Sequence, residues 1–169
     1  SAWGKNVGSC LLTNKETGSG VGARTGTAIA NVMKPSRDVV PFIAITTELG
    51  IDWTKQVVSC PQSIGYGGAM GPAQFIPSTW LLFKDRIAKA LGKTLANPWE
   101  AQDAFTASAL YLSDLGAIPG SFTAERNAAC RYYSGKACDP LGINSTYGNQ
   151  VISKAYNIQE TMINPLQGI

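Results

Sequence analysis

The residues of this chain that could perform chemistry are its carboxylic acids and one loop of uncharged residues. There is no histidine among the 169 residues, which excludes Ser-His-Asp and Cys-His machinery and leaves a zinc site with few ligands. Neither a Gly-x-x-x-x-Gly-Lys-Ser/Thr phosphate loop nor a dinucleotide-binding fingerprint is present. A carboxylic acid in apolar surroundings can donate a proton to a glycosidic oxygen. The residue types therefore favour glycan cleavage without a metal or cofactor.

Glu48 is the most visible of the eleven acids, because it lies near the end of a predicted helix shortly before a glycine-rich loop. Its position on the helical wheel, away from Phe42 and Leu49, is typical of a solvated surface acid. Glu100 is assigned to a helix cap. The other acids are expected in loops or on polar helical faces, so that no acid is predicted to be buried: Glu16, Asp38, Asp52, Asp85, Asp103, Asp114, Glu125, Asp139 and Glu160.

The segment GGAMGPAQFIPSTW, residues 67–80, has no ionisable side chain. Its glycines allow a backbone to approach a ligand closely, and the amide of Gln74 offers donor and acceptor atoms. Ser78 fits two roles, a ligand contact and a helix cap. Met70 and Phe75 suit either the core or the lining of a groove. This composition predicts a shaped binding surface that uses neutral hydrogen bonds.

Four tyrosines are further candidates for a sugar-binding surface. A tyrosine combines an apolar face, which stacks on sugar rings, with a hydroxyl that forms hydrogen bonds. Tyr132, Tyr133 and Tyr147 are expected to line one wall of a groove. Tyr66, just before the neutral segment, fits a structural role as well as a binding role.

Length and composition indicate one globular domain over residues 1–169. Hydrophobic residues make up 44% and charged residues 15% of the chain, which is typical of a soluble protein with a core, and no apolar run is long enough to span a bilayer. The excess of 14 basic over 11 acidic residues suits an acidic glycan and falls short of a nucleic-acid footprint. We expect a monomer.

Apolar spacing predicts a mainly helical fold with long loops. A first helix is expected from Ser36, its cap, to a left-handed stop at Gly50. Its buried face comprises Val39, Phe42, Ile43, Thr46 and Leu49. Residues 1–34 are expected to form an exposed loop or short hairpin that buries little.

Four further helical regions are predicted downstream. One extends from Ser78 to Gly92. The next starts at Asn97, where an Asn-Pro-x-Glu sequence combines a capping box with proline at the first helical position, and ends at Gly116. Shorter helical stretches are expected over 124–132 and 150–163.

The four cysteines have no Cys-x-x-Cys spacing and allow three pairings. We favour Cys130 with Cys138, which closes a short loop, and Cys10 with Cys60, which ties the N-terminal segment to the core. Four reduced thiols are the alternative. Disulfides would place the protein outside the cytosol, in the periplasm, the cell envelope or the medium.

The neutral segment resembles a loop of the lytic murein transglycosylases of the membrane-bound B type, whose pattern is approximately Gly-Ala-Met-Gly-x-x-Gln-Phe-x-Pro-Ser-Ser/Thr. NPWEAQDAFTASALYLSDLGA is similar to a helix of that family, and CRYYSG with TYGNQVISKA looks like its closing segments. The resemblance covers nearly the whole chain. It implies a lysozyme-like, mainly α domain that cleaves the β-1,4 bond between N-acetylmuramic acid and N-acetylglucosamine to give 1,6-anhydromuramoyl products.

The same resemblance implies roles for individual residues. In the family the general acid is a Glu that opens a Glu-Ser/Thr-x-Trp/x-Gly motif, and Ser1 to Gly4 fit the residues after it. The catalytic Glu is therefore expected immediately before Ser1. Ser78 is expected to hydrogen-bond the 2-acetamido group, which replaces a second carboxylate. Tyr133 departs from the family, which often has Asn there.

Two other functions fit the same residues. A domain without its acid would be a non-catalytic peptidoglycan-binding fragment. A lysozyme-type hydrolase would cleave the same bond with water and could use Glu48 as its acid. The products separate these functions, because hydrolysis leaves reducing ends.

Overall fold

A computed structural model describes residues 9–62 and 64–168. About half of the chain is helical, and four short strands form one antiparallel sheet, so the fold is mixed α+β. The chain divides into two compact units, residues up to Ser108 and residues from Ala109 onward. Among the described residues, no helix has both the length and the apolar content of a membrane span.

The sheet belongs to the first unit and has the order β3-β2-β1-β4. Its strands are β1 Ser9–Leu12, β2 Gly20–Gly22, β3 Ala28–Ile29 and β4 Val57–Ser59. Leu11 pairs with Val21 on one side and with Val57 on the other. The predicted hairpin is therefore present and extends into a sheet.

The prediction that residues 1–34 bury little is wrong for the described part of that segment. Cys10, Leu12, Val32 and Met33 are fully buried. Alternation along β1 turns Cys10 and Leu12 to the same face, and that face packs into the core. The glycine- and threonine-rich composition of the neighbouring turns hid this short apolar pattern.

The first helix, α1 Val40–Glu48, follows a π-helical turn at Pro35–Val39. Ser36 does not cap it, because the residue before the turn is Lys34 and no side chain caps that end. The predicted stop is confirmed by Gly50, whose φ of 68° lies in the left-handed region.

The second predicted helix is two helices, α2 Pro77–Trp80 and α3 Lys84–Leu91. Trp80 and Phe83 lie at its interruption, and their rings stand 6.0 and 6.1 Å from the ring of Phe75. Gly92, with a φ of 64°, ends α3 as predicted.

The third predicted helix is α4 Ala101–Asp114. It begins later than predicted, at Ala101, so that Asn97 lies in the turn before the helix. The Oδ1 atom of Asn97 accepts a hydrogen bond from the backbone N–H of Trp99 at 3.0 Å within that turn. Glu100, however, does not accept from the Asn97 N–H. Asp103 does so at 2.8 Å and is fully buried, which corrects its predicted exposure. Burial is tolerated because Lys93 lies 2.7 Å from the same carboxylate.

The second unit is helical after the end of α4. It contains α5 Phe122–Ser134, α6 Ile143–Ile158, a π-helical turn at Gln159–Ile163 and α7 Asn164–Gln167. The helical stretches predicted over 124–132 and 150–163 are confirmed, and both extend further than their patterns indicated. α5 packs against α6 and buries Ala128, Ala129 and Ile152.

Both favoured disulfides are confirmed. The Cα atoms of Cys10 and Cys60 are 5.0 Å apart, and those of Cys130 and Cys138 are 5.2 Å apart. Each bridge lies inside one of the two units. Two disulfides are compatible with a secreted protein.

Candidate functional site

The neutral loop, residues 67–76, is anchored to the edge of the sheet. Ser59 and the loop exchange backbone hydrogen bonds, from Gly68 N to Ser59 O and from Ser59 N to Ala69 O, each 2.9 Å long. Within the loop, the N–H of Met70 donates to the carbonyl of Phe75 at 2.8 Å. Met70 and Phe75 are buried, which is the core alternative of the two that their types allowed.

Two glycines of the neutral loop are required by close backbone approaches. A Cβ atom at Gly67 would overlap the carbonyl oxygen of Ser59, and one at Gly71 would overlap that of Pro98. Gly71 also has a φ of 61°, a conformation that costs other residues about 1–2 kcal/mol. These glycines therefore bring the loop against β4 and against the segment before α4.

Gln74 occupies a strained position at the tip of the neutral loop. Its φ of 59° is left-handed although it is not glycine. Its side-chain Nε2 donates to the carbonyl of Gly71 at 2.8 Å, so part of the donor capacity expected for a ligand is used within the loop. Its Oε1 accepts no hydrogen bond from the described residues. Strained residues of this kind cluster at functional sites.

The hydroxyl of Ser78 donates a hydrogen bond to Oδ1 of Asp38 at 2.8 Å. The backbone N–H of Ser78 points to the same oxygen at 3.4 Å. The other oxygen, Oδ2, accepts from Nε of Arg37 at 2.8 Å and lies 2.6 Å from a second guanidinium nitrogen. Asp38 is fully buried, which corrects the prediction that it would be exposed.

Ser78 is not the helix cap that its type allowed. The residue preceding α2 is Ile76, and no side chain forms a cap hydrogen bond there. The hydroxyl of Ser78 is instead directed to an acid 40 residues earlier in the chain. No local pattern could reveal that pair, because Asp38 follows Arg37 and reads as part of a surface ion pair.

The π-helical turn that contains Asp38 positions its carboxylate. This turn and α1 both pack against α2, which brings Asp38 beside Ser78. π-Helical turns are rare and are often found at functional sites.

Glu48 lies at the end of α1 and is exposed, as the helical wheel predicts. Its carboxylate binds Nζ of Lys84 at 2.9 Å. This hydrogen bond is the main reason why the pKa of Lys84 lies above its usual value. Glu48 is thus part of a surface ion pair.

The tyrosine candidates fall in both units. Tyr66 belongs to the first unit and is exposed. In the second unit, the rings of Tyr133 and Tyr147 stack at 4.7 Å with an angle of 18° between their planes. Burial raises the pKa of the Tyr147 hydroxyl, and Tyr133 adds a smaller increase. Tyr132 packs against Tyr111 at 5.1 Å.

The segment Ser1 to Gly4, which carries the expected link to the general acid, lies outside the described residues. Within residues 9–62 and 64–168, no group of three or more acids and cysteines is arranged to hold a metal ion. Comparison of the chain with protein-family models, with curated proteins and with solved structures finds no match. The functional argument therefore depends on the residues and their geometry.

Proposed function

We propose that this chain is the catalytic domain of an extracytoplasmic peptidoglycan lytic transglycosylase with a lysozyme-like fold. Its substrate is the glycan strand of peptidoglycan, cleaved at the β-1,4 bond between N-acetylmuramic acid and N-acetylglucosamine. The observation that carries the proposal is the neutral segment, residues 67–80. It resembles that family in sequence, and it holds Gln74 in a strained conformation.

The general acid in this proposal is a Glu immediately before Ser1. It donates its proton to the glycosidic oxygen while the carbonyl oxygen of the muramoyl acetamido group attacks the anomeric carbon. The muramoyl 6-hydroxyl then displaces that oxygen from the anomeric carbon and returns a proton to the Glu carboxylate. One carboxylate therefore serves as acid and then as base, as in substrate-assisted glycosidases.

The described residues support the binding of sugar rings through neutral contacts. In the first unit, Gln74 offers an amide oxygen, Ser78 a hydroxyl and Tyr66 an exposed ring. In the second unit, Tyr133 and Tyr147 present a stacked aromatic pair. Aromatic faces with a few neutral hydrogen-bonding groups are suited to sugars.

The location of the protein in this proposal follows from its cysteines. Two disulfides persist in oxidising surroundings and are rare in the cytosol. Peptidoglycan lies in the same extracytoplasmic space.

Product analysis tests the reaction. Purified full-length protein is incubated with peptidoglycan, and the soluble fragments are identified by mass spectrometry. We expect 1,6-anhydromuramoyl ends. Reducing ends would instead show a lysozyme-type hydrolase, and binding without products would show a binding module.

Two matched Glu→Gln variants test the general acid. Replacing the Glu expected before Ser1 should lower turnover by about a hundredfold to ten-thousandfold. Glu48→Gln should retain wild-type turnover, because Glu48 is a surface residue paired with Lys84. Loss of turnover in Glu48→Gln alone would move the general acid to that residue.

A further inference from the structure

We infer that Asp38 is a positioning residue that makes the Ser78 hydroxyl a hydrogen-bond acceptor, so that Ser78 selects glycans by the N–H of their 2-acetamido group. The inference rests on the proposed function. It assigns a positioning role to the buried Asp38. It also states which group donates and which accepts the hydrogen bond between Ser78 and the substrate.

The Ser78 hydroxyl and the Asp38 carboxylate share a single hydrogen-bonding proton. A serine hydroxyl has one proton to donate and two lone pairs that accept. The proton of Ser78 is directed to Asp38 Oδ1 at 2.8 Å. The Asp38 carboxylate is paired with the Arg37 guanidinium, which favours its role as the acceptor of this hydrogen bond. Ser78 is left with lone pairs for any further partner.

The Asp38 carboxylate is held in one orientation by Arg37. Its Oδ2 is held by Nε and a terminal nitrogen of Arg37, at 2.8 and 2.6 Å. Oδ1 is therefore the oxygen that remains for the Ser78 hydroxyl. The backbone N–H of Ser78 points to the same oxygen. A buried carboxylate that loses such a hydrogen bond is left with an unsatisfied acceptor, which opposes rotation of the hydroxyl towards a ligand.

The two side chains differ in their exposure to solvent. Asp38 is fully buried, whereas Ser78 is partly exposed. A ligand can therefore touch Ser78 but not Asp38, and Asp38 acts only through the hydroxyl it holds.

The 2-acetamido group can contact a hydroxyl in two ways. This group has one donor, its N–H, and one acceptor, its carbonyl oxygen. A hydroxyl that accepts from the N–H leaves the carbonyl lone pairs available for attack on the anomeric carbon. A hydroxyl that donated to the carbonyl would withdraw electron density from the attacking oxygen. The arrangement at Ser78 favours the first contact.

The test compares two tetrasaccharides of alternating N-acetylglucosamine and N-acetylmuramic acid. In the second, each muramoyl 2-acetamido group is replaced by 2-O-acetyl, which keeps the carbonyl and lacks the N–H. Dissociation constants are measured by calorimetry in full-length protein whose upstream Glu is replaced by Gln, so that cleavage does not interfere. This protein should prefer the N-acetyl sugar by about twofold to tenfold, the usual range for one hydrogen bond.

Four variants in the same background, three single and one double, identify the source of that preference. Asp38→Asn should abolish or reverse it, because Arg37 attracts the amide oxygen and the amide N–H then turns the Ser78 hydroxyl outward. Ser78→Ala should abolish it, and Ser78→Thr should keep it. The double variant Asp38→Asn/Ser78→Ala should match Ser78→Ala alone, since the two side chains act as one unit.

Asp103→Asn is the matched control. Asp103 is also fully buried, binds a cation and accepts from a backbone N–H, but it touches no candidate ligand-binding side chain. Its replacement should lower the melting temperature and keep the preference for the N-acetyl sugar.

The possible failures are distinguishable. Binding of neither tetrasaccharide, with no cleavage of peptidoglycan, would overturn the proposed function and this inference with it. Equal binding of the two sugars by a protein that still forms anhydromuramoyl products would overturn the inference alone. An unchanged preference in Ser78→Ala would do the same, and it decides the matter even if Asp38→Asn does not fold.

Discussion

Among single residues, the two buried aspartates of the first unit have similar surroundings but different roles. Asp38 and Asp103 are both fully buried, and each pairs with one cation, Arg37 or Lys93. Asp103 uses its remaining hydrogen bond to hold the chain at the start of α4. Asp38 uses its own to orient a hydroxyl beside the neutral loop. The two acids are therefore distinguished by their hydrogen-bond donor, a backbone N–H for Asp103 and the Ser78 hydroxyl for Asp38, and not by their burial.

Gly71→Ala should destabilise the protein by about 2–5 kcal/mol. The left-handed backbone costs alanine about 1–2 kcal/mol, and overlap with the Pro98 carbonyl adds an overpacking cost of about 1–3 kcal/mol. Gly65→Ala is the control, because Gly65 has a φ of 98° with open space around it. Equilibrium denaturation of both variants isolates the steric part of the cost. Equal losses in the free energy of unfolding would contradict the close approach of Gly71 to the Pro98 carbonyl.

Gln74→Gly should change the free energy of unfolding by less than about 1 kcal/mol while weakening glycan binding. Relief of the left-handed strain is offset by the lost hydrogen bond to Gly71 and by the greater freedom of an unfolded glycine. Asn31→Gly, at the other described non-glycine residue with positive φ, should leave binding unchanged. Denaturation and calorimetry measure the two effects, and unaltered glycan affinity in Gln74→Gly would argue against a binding role.

Among the elements, the turn before α4 depends on charges as well as on side-chain hydrogen bonds to the backbone. Lys93 Nζ lies 2.6 Å from a carboxylate oxygen of Glu100 and 2.7 Å from one of Asp103. Asp103 in turn accepts from the backbone N–H of Asn97. The acid that accepts this N–H is therefore Asp103, inside α4, and not the Glu100 that the predicted capping box requires.

The alkaline stability of the protein should depend on Lys93. Hydrogen bonds to Asp103 and then to Glu100 raise the pKa of Lys93 above its ordinary value of 10.5. A group whose pKa is raised by folding stabilises the folded protein, and this stabilisation is fully present below pH 10.5. It is lost as the pH rises through the pKa of the folded state. Denaturation between neutral pH and about 12 should therefore show a fall that is reduced in Lys93→Met. The same alkaline slope in both proteins would refute the role of this cluster.

At the scale of the whole molecule, each compact unit contains its own disulfide, and the two bridges close loops of very different length. Cys10 and Cys60 are separated by 50 positions, whereas Cys130 and Cys138 are separated by 8. Chain entropy predicts that the long loop gains more from its bridge, because an unfolded long loop has more conformations to lose.

Replacing both cysteines of a pair by alanine should therefore cost about 4 kcal/mol for Cys10–Cys60 and about 2.5 kcal/mol for Cys130–Cys138. Each variant is the control for the other. Hydrogen exchange followed by mass spectrometry should show faster exchange in residues up to Ser108 for the first pair and in later residues for the second. Equal costs for the two pairs would contradict loop entropy as the main stabilising effect.

The sequence predicted the features that depend on a few neighbouring residues. Gly50 and Gly92 end helices in left-handed conformations, and the Asn97 side chain accepts a backbone hydrogen bond in the turn before α4. These signals are reliable because each acts on the backbone within one helical turn. Both favoured cysteine pairs are also present, and Cys130–Cys138 was favoured because it closes a short loop.

The tertiary structure decided which polar groups are buried and what they contact. Asp38 meets Ser78 across 40 residues, and Asp103 takes the place expected for Glu100. A carboxylate is buried only where distant parts of the chain supply a cation and hydrogen-bond donors that offset its lost hydration. The sequence therefore determined by itself the neutral chemistry of residues 67–80, while folding alone selected the acid that orients its serine.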